Sequence, residues 1–212
     1  VASDAAKDGL ADRTPVVGVL ALQGDFAEHE VALQSYGLRC RRVRSVRDLG
    51  GLAGFVLPGG ESTTMLRLLD VEGLWQPLAC ALRSGMPVLA TCAGMILLAE
   101  QVENPHQRSF AVLPITVVRN GYGRQLHSGT FPLRSTVLPA GTTGTFIRAP
   151  RITHVGADCE VLAWRGDDPV LVRRGPVFAA CFHPELQARH PVYEMFARSI
   201  GGRTTATAEC GA

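Results

Sequence analysis

The first organised stretch of the chain, Val16 to Leu22, is an unbroken apolar run rich in β-branched residues. Without polar alternation, such a run marks a strand buried on both faces, as in a parallel sheet. Gln23-Gly24 interrupts it, and Asp25 stands where an N-cap would start a helix running to about Tyr36, before Gly37. Short strands follow at Arg39–Val43 and Gly54–Leu57, the second ending in Pro58-Gly59-Gly60. Ser62 and Thr63 open a further helix with Met65, Leu66, Leu68 and Leu69 as its apolar stripe. Another helix covers Leu74 to Arg83 and closes at Gly85. Pro87–Thr91 is a fourth strand, and Ala93–Gln101 is a helix directly after it. Strands alternating with helices at this short spacing predict an α/β fold with a mainly parallel central sheet flanked by helices.

The second half changes character. Residues 110–182 are strand-like, punctuated at Asn120-Gly121, Gly141, Gly166-Asp167-Asp168 and Gly175-Pro176, and a last helix runs from about Val192 to Ile200. No repeat, low-complexity block or linker divides the chain. The expected organisation is one domain over residues 15–200, a small polar extension over 1–14 and a flexible tail over 201–212.

Composition sharpens this in a few places. Of the 212 residues 46% are hydrophobic and 19% charged, enough to bury a core and too apolar for disorder. A net charge of +2 leaves no footprint for nucleic acid or an anionic membrane surface. The cluster Arg39, Arg41, Arg42, Arg44 and Arg47 is expected to be a solvated strand edge. No apolar run approaches a membrane span and the N-terminus lacks a signal-peptide core, so a soluble cytoplasmic protein is expected. The six cysteines at 40, 80, 92, 159, 181 and 210 contain no C-x-x-C. Cys181 and His183 alternate along a strand, a poor start for a closed zinc site. Neither a structural metal nor a disulfide framework is expected, and most of these cysteines read as small buried hydrophobes.

One cysteine differs. Cys92 lies where a buried strand turns directly into a helix, within Ala90-Thr91-Cys92-Ala93-Gly94. This small-x-nucleophile-x-Gly pattern is a nucleophile elbow with cysteine in place of serine, and its sharp turn needs small neighbours two positions either side. The helix N-terminus that follows favours thiolate through its partial positive charge, and its amides, beginning at Ala93, can donate to an oxyanion. Phe182-His183-Pro184-Glu185 follows another apolar strand. If the segment stays extended, as Pro184 favours, alternation puts His183 and Glu185 on one side. A histidine oriented by a carboxylate is the base a thiol nucleophile needs. On its own the pair reads as a surface salt bridge, and Cys92 makes it a triad candidate. Pro58-Gly59-Gly60-Glu61-Ser62 ends a strand on the same carboxyl edge of the sheet, and its glycines allow backbone amides to approach a substrate oxygen. It is not a phosphate loop, because no Gly-Lys-Ser/Thr follows.

Taken together these stretches resemble a known family, the glutaminase subunit of pyridoxal 5′-phosphate synthase (the Pdx T / SNO group), a branch of the class I glutamine amidotransferases. The resemblance is carried by Gly18-Val-Leu-Ala-Leu-Gln-Gly24, Pro58-Gly-Gly-Glu-Ser-Thr-Thr64, Thr91-Cys-Ala-Gly94 with Ile96-Leu-Leu-Ala99, Arg119-Asn120 with Gly123-Arg-Gln125, Phe146-Ile-Arg-Ala-Pro150 and Phe182-His-Pro-Glu-Leu186. These occur in family order across residues 16–200. The elbow and the His-x-Glu are common to all class I amidotransferases, whereas the other stretches point to the vitamin B6 branch.

The resemblance implies the three-layer class I amidotransferase fold and a reaction. Cys92 attacks the side-chain amide of L-glutamine, His183 relays the proton to departing ammonia, Glu185 orients the histidine, and water hydrolyses the thioester. It further implies an oxyanion hole from Gly59, Gly60 and Ala93, and a glutamine pocket lined by Gly60, Glu61, Ser62, Arg119, Ile147 and Arg148. Gln23-Gly24 would respond to docking of a (β/α)₈ synthase subunit that receives the ammonia, and this chain would hold no cofactor itself. The sequence departs from the family at Ser128-Gly129-Thr130, at Gln187-Ala188-Arg189, and at Tyr193, where a histidine is usual. Three other readings compete: an amidotransferase feeding another pathway, an idle regulatory homologue, and, more remotely, a cysteine peptidase.

Overall fold

The structure, a computed structural model, describes residues 14–122 and 128–201. Outside them lie nearly all of the expected extension (1–13) and tail (202–212), Cys210, and the Gly123-Arg124-Gln125 stretch.

Five parallel strands form the main sheet: β1 (Val16–Leu20), β2 (Arg39–Val43), β3 (Gly54–Leu57), β4 (Val88–Thr91) and β12 (Val177–Ala180). Antiparallel β11 (Asp168–Arg174) and β10 (Glu160–Arg165) extend it, giving the order β10-β11-β12-β4-β3-β1-β2. The central strands β3, β4 and β12 are buried at every residue, the expected state of strands covered on both faces. β2 is the edge, and its arginines are occupied as an edge requires. Arg42 pairs with Glu30 at 2.8 Å, Arg41 donates to the Gly50 carbonyl at 2.6 Å, and Arg42 and Arg44 both lie over the Phe26 ring.

The helices are α1 (Phe26–Ser35), α2 (Ser62–Val71), α3 (Trp75–Arg83), α4 (Ala93–Leu98) and α5 (Pro191–Gly201). α5 packs so closely over β3 that a Cβ on Gly54 would lie 3.1 Å from Ile200 and 3.2 Å from Phe196. α4 stops three residues before the expected Gln101. There the chain becomes β5 (Ala99–Glu103), which pairs with β6 (Leu113–Val118) and, through it, β9 (Arg151–Val155). A hairpin of β7 (Gly129–Pro132) and β8 (Thr143–Phe146) completes the strand-rich second half. β1 also ends earlier than expected, at Leu20 and not Leu22, and the bend that carries Gln23-Gly24 already starts at Leu22. Among the described residues no helix is long and apolar enough to cross a membrane.

Candidate active site

β4 delivers Cys92 to the carboxyl edge of the sheet in a conformation few residues adopt, φ 47° and ψ −104°. A positive φ in a non-glycine residue is strained and is held only where the surroundings over-determine it. Here they do. The Cys92 amide donates to the Ala180 carbonyl at 2.8 Å, and the Gly94 amide donates to the Pro58 carbonyl at 3.1 Å. α4 runs against β3 so tightly that a Cβ on Gly94 would sit 2.1 Å from the Leu57 carbonyl oxygen. The glycine two residues after the nucleophile is therefore a packing requirement, and the expected elbow is present. Ala93, whose amide is the expected oxyanion donor, is the first residue of α4.

His183 follows β12 and is nearly buried; its amide donates to the Thr145 carbonyl of β8 at 2.8 Å. Its Nδ1 lies 2.7 Å from Glu185 Oε1, and its side chain is within hydrogen-bonding reach of Cys92. The route to this pairing differs from the expected one. Pro184–Leu186 is a turn of 3₁₀-helix, with Pro184 at its first position, not an extended segment. Proline fits both conformations, because its fixed φ suits the start of a helical turn as well as an extended chain.

Asp25 is a participant that sequence reasoning missed. It precedes α1 but makes no side-chain capping bond. Its carboxylate instead reaches across to His183, with Oδ2 3.3 Å from Nδ1. Burial by itself would depress the His183 pKa. Hydrogen bonds to Asp25, Cys92 and Glu185 overcome that and push it up to about 12, which favours the imidazolium. The same contact with His183 holds the Asp25 carboxyl below its ordinary range, against the opposing effect of burial. Asp25, His183 and Glu185 are also the group of three among the described residues whose spacing, within 4.8 Å, could hold a metal ion. Their mutual hydrogen bonds already satisfy Nδ1 and Glu185 Oε1.

The Gly59-Gly60 loop is fastened to the turn that begins α1. The Asp25 amide donates to the Gly59 carbonyl at 3.3 Å, and the Glu61 amide donates to Gln23 Oε1 at 2.8 Å. Gly24 has φ 97°, and a Cβ there would lie 1.8 Å from the Gly59 oxygen. Gly59 has no room for one either, since it would meet His183 Cε1 at 2.4 Å. Because a trans peptide points its carbonyl and the next amide in opposite directions, fixing the Gly59 carbonyl also aims the Gly60 N–H. Gln23-Gly24, expected to be a responsive segment, is thus in direct contact with the expected oxyanion loop.

Of the expected pocket residues, Glu61 and Arg119 meet in a 2.8 Å ion pair, with the arginine largely buried and the carboxylate half exposed. Ser62 is buried and donates to Gln107 Oε1 at 2.9 Å, a partner that sequence reasoning did not include. Ile147 and Arg148 follow β8, the strand that receives the His183 amide. Ile147 is exposed, Arg148 has φ 43°, and its amide donates to Ser128 Oγ at 3.2 Å. Among the described residues no hydrogen bond or ion pair joins either of them to Cys92, His183 or Glu185.

The sequence matches the SNO glutamine amidotransferase family over residues 19–201. The chain belongs to this family. It is 46% identical over 192 residues to the pyridoxal 5′-phosphate synthase subunit PdxT of Deinococcus radiodurans, covering 88% of this chain and 98% of that protein. It is 47% identical over 188 residues to the PdxT of Desulfitobacterium hafniense, covering 88% and 94%. Among solved structures, a glutamine amidotransferase superposes with a TM-score of 0.81 at 42% identity, covering 87% of this chain and 98% of that one. A glutamine amidotransferase from Thermotoga maritima shares the fold at a TM-score of 0.59 and 15% identity, over 87% and 81% of the two chains.

Proposed function

We propose that this amidotransferase is the glutaminase subunit of a pyridoxal 5′-phosphate synthase and hydrolyses L-glutamine through a thioester on Cys92. The Cys92 thiolate adds to the side-chain carboxamide carbon, and the oxygen takes up negative charge facing the amides of Gly59, Gly60 and Ala93. His183 gives its proton to the nitrogen as the carbon–nitrogen bond breaks, releasing ammonia and leaving a glutamyl thioester. His183, now neutral, accepts a proton from water as the oxygen attacks, and collapse returns the thiolate and frees glutamate. Glu185 orients the imidazole throughout. Glu61, Ser62, Arg119, Ile147 and Arg148 line the glutamine site, where an arginine fork suits the substrate's α-carboxylate. Ammonia passes to a (β/α)₈ synthase subunit docked near Gln23-Gly24. A nucleophilic thiol works only while reduced, which fits a cytoplasmic reaction.

The observation that carries this reading is the convergence of a strained Cys92 with a His183 held 2.7 Å from Glu185. The test is glutaminase turnover with and without a cognate synthase. Stimulation by the synthase and a loss of roughly 10⁴-fold or more in Cys92→Ala are expected. Turnover that survives in the variant would remove Cys92 from the mechanism.

A further inference from the structure

His29 is a wholly buried histidine that the proposed chemistry does not use. It projects from α1 into a gap closed by three other elements. Its Nδ1 lies 2.7 Å from the Tyr193 hydroxyl of α5. Its Nε2 lies 3.1 Å from Thr91 Oγ1, the residue before Cys92, and 3.6 Å from Glu185 Oε2. Oε2 is the other half of the carboxylate that holds His183, and it is buried without a hydrogen-bond partner at ordinary distance.

Only one tautomer of His29 satisfies these groups. With the proton on Nδ1, the buried Tyr193 hydroxyl would have to accept, and its own proton would lack an acceptor. The bare Nε2 lone pair would then face a carboxylate oxygen. With the proton on Nε2, Tyr193 donates to Nδ1, and the Nε2–H faces both Thr91 Oγ1 and Glu185 Oε2. A buried carboxylate oxygen with no donor is costly, and among the described residues this N–H lies 3.6 Å from it.

We infer that His29 is a positioning residue for the reaction: fixed as its Nε2–H tautomer by Tyr193, it steadies Glu185 Oε2 and so keeps Oε1 on His183. Burial depresses the His29 pKa, outweighing the opposing pull of Glu185, which keeps the ring neutral and leaves a single N–H to direct. The other charged groups acting on it are His183, Asp25 and Glu28. The departure at Tyr193 thereby gains a use, since its hydroxyl sets the tautomer by donating to Nδ1.

This role for His29 rests on the triad reading, and the experiment separates the two. A glutamine-analogue electrophile is first applied to the wild-type chain. Failure to label Cys92 would overturn the triad and the role of His29 with it. With labelling established, kcat, KM and the pH dependence of kcat are compared for His29→Leu, His29→Gln and Tyr193→Phe in the presence of the synthase. His29→Leu should lower kcat roughly ten- to hundredfold with little change in KM, the scale of a misplaced catalytic group. Glutamine can return an N–H near the Nε2 position, so His29→Gln should recover most of the loss. Tyr193→Phe removes one oxygen and should cost about two- to tenfold, one neutral hydrogen bond. Both losses should come with an altered pH profile. If His29→Leu does not fold, the gentler Tyr193→Phe decides. His29→Leu or Tyr193→Phe protein that folds with wild-type kcat and pH profile would overturn the positioning role while leaving the triad standing.

Discussion

Gly24→Ala is the sharpest perturbation this structure offers, because it adds one carbon where a turn and a catalytic loop touch. The new Cβ would start 1.8 Å from the Gly59 carbonyl oxygen, whereas real Cβ contacts essentially never fall under 3.0 Å. The two segments must therefore separate by at least 1.2 Å, the difference of those two distances. Alanine is also strained at the φ of 97° that Gly24 adopts, by about 1–3 kcal/mol. Relief by opening the turn would lengthen the Asp25–Gly59 and Gln23–Glu61 hydrogen bonds, each worth about 1 kcal/mol. A loss of roughly 2–4 kcal/mol in stability is expected, measured by urea denaturation. The catalytic effect is the more telling one. A displacement of about 1 Å at groups that stabilise the transition state costs on the order of 100-fold. kcat of folded protein, assayed well below the denaturation midpoint, should fall by that factor, with KM changing less. A folded variant with kcat within threefold of wild type would mean that the Gly59-Gly60 amides do not act on the oxyanion.

Gly94→Ala should be worse for folding, since its Cβ would meet the Leu57 carbonyl oxygen at 2.1 Å and the α4–β3 contact has no slack. Little soluble protein, or a melting temperature well below wild type, is the expected result. Asp25→Asn removes one of the carboxylates that hold the proton on His183, so the imidazolium loses stabilisation and its pKa falls. An NMR titration of the His183 ring should show a lower midpoint than wild type, and an equal or higher one would refute the assignment. Phe110→Ala, at a fully buried ring stacked 4.1 Å from Trp75, should cost about 3–5 kcal/mol in urea denaturation while leaving kcat per folded molecule unchanged.

The part of this fold that was legible in the sequence is the part set by local signals. β2 and β3 fall at their expected bounds because Gly37, Gly54 and Pro58 mark their ends. The end of α4 was hidden because Ala99–Glu103 is strand only through its pairing with Leu113–Val118. A run of Leu-Leu-Ala-Glu-Gln carries a helical pattern until that partner is in place. The site divides in the same way. Cys92 stood out because an elbow is a local pattern, and His183 with Glu185 because they are two residues apart. Asp25 was hidden because its cap-like position masks a carboxylate aimed elsewhere, and its target lies 158 positions away. His29 carried one readable clue: it shares the buried face of α1 with Ala32 and Leu33, at i+3 and i+4. No local pattern links it to Tyr193.

The two halves of the proposed catalytic machinery are built with different freedom. The nucleophile and its base are locked by backbone. Cys92 is tied to Ala180, Gly94 is pressed on Leu57, and the buried His183 is tied to the partly buried Thr145. The oxyanion side is tied to a surface turn. Gly59 rests on Gly24 and Asp25, and Glu61 rests on Gln23, while Asp25 and the Glu61 side chain stay substantially exposed. A protein that docked against this turn could move the Gly59 peptide while leaving in place the backbone bonds that hold Cys92 and His183, with Asp25 carrying the motion to the His183 ring. Such a partner would change kcat by re-aiming amides and not by creating the nucleophile. It follows that the electrophile should label Cys92 even in the free chain, while steady turnover depends on the turn. Coupling of this kind needs the turn and the loop to move as one body, and the Asp25–Gly59 and Gln23–Glu61 hydrogen bonds, with Gly24 packed too close to Gly59 for a Cβ, tie them together.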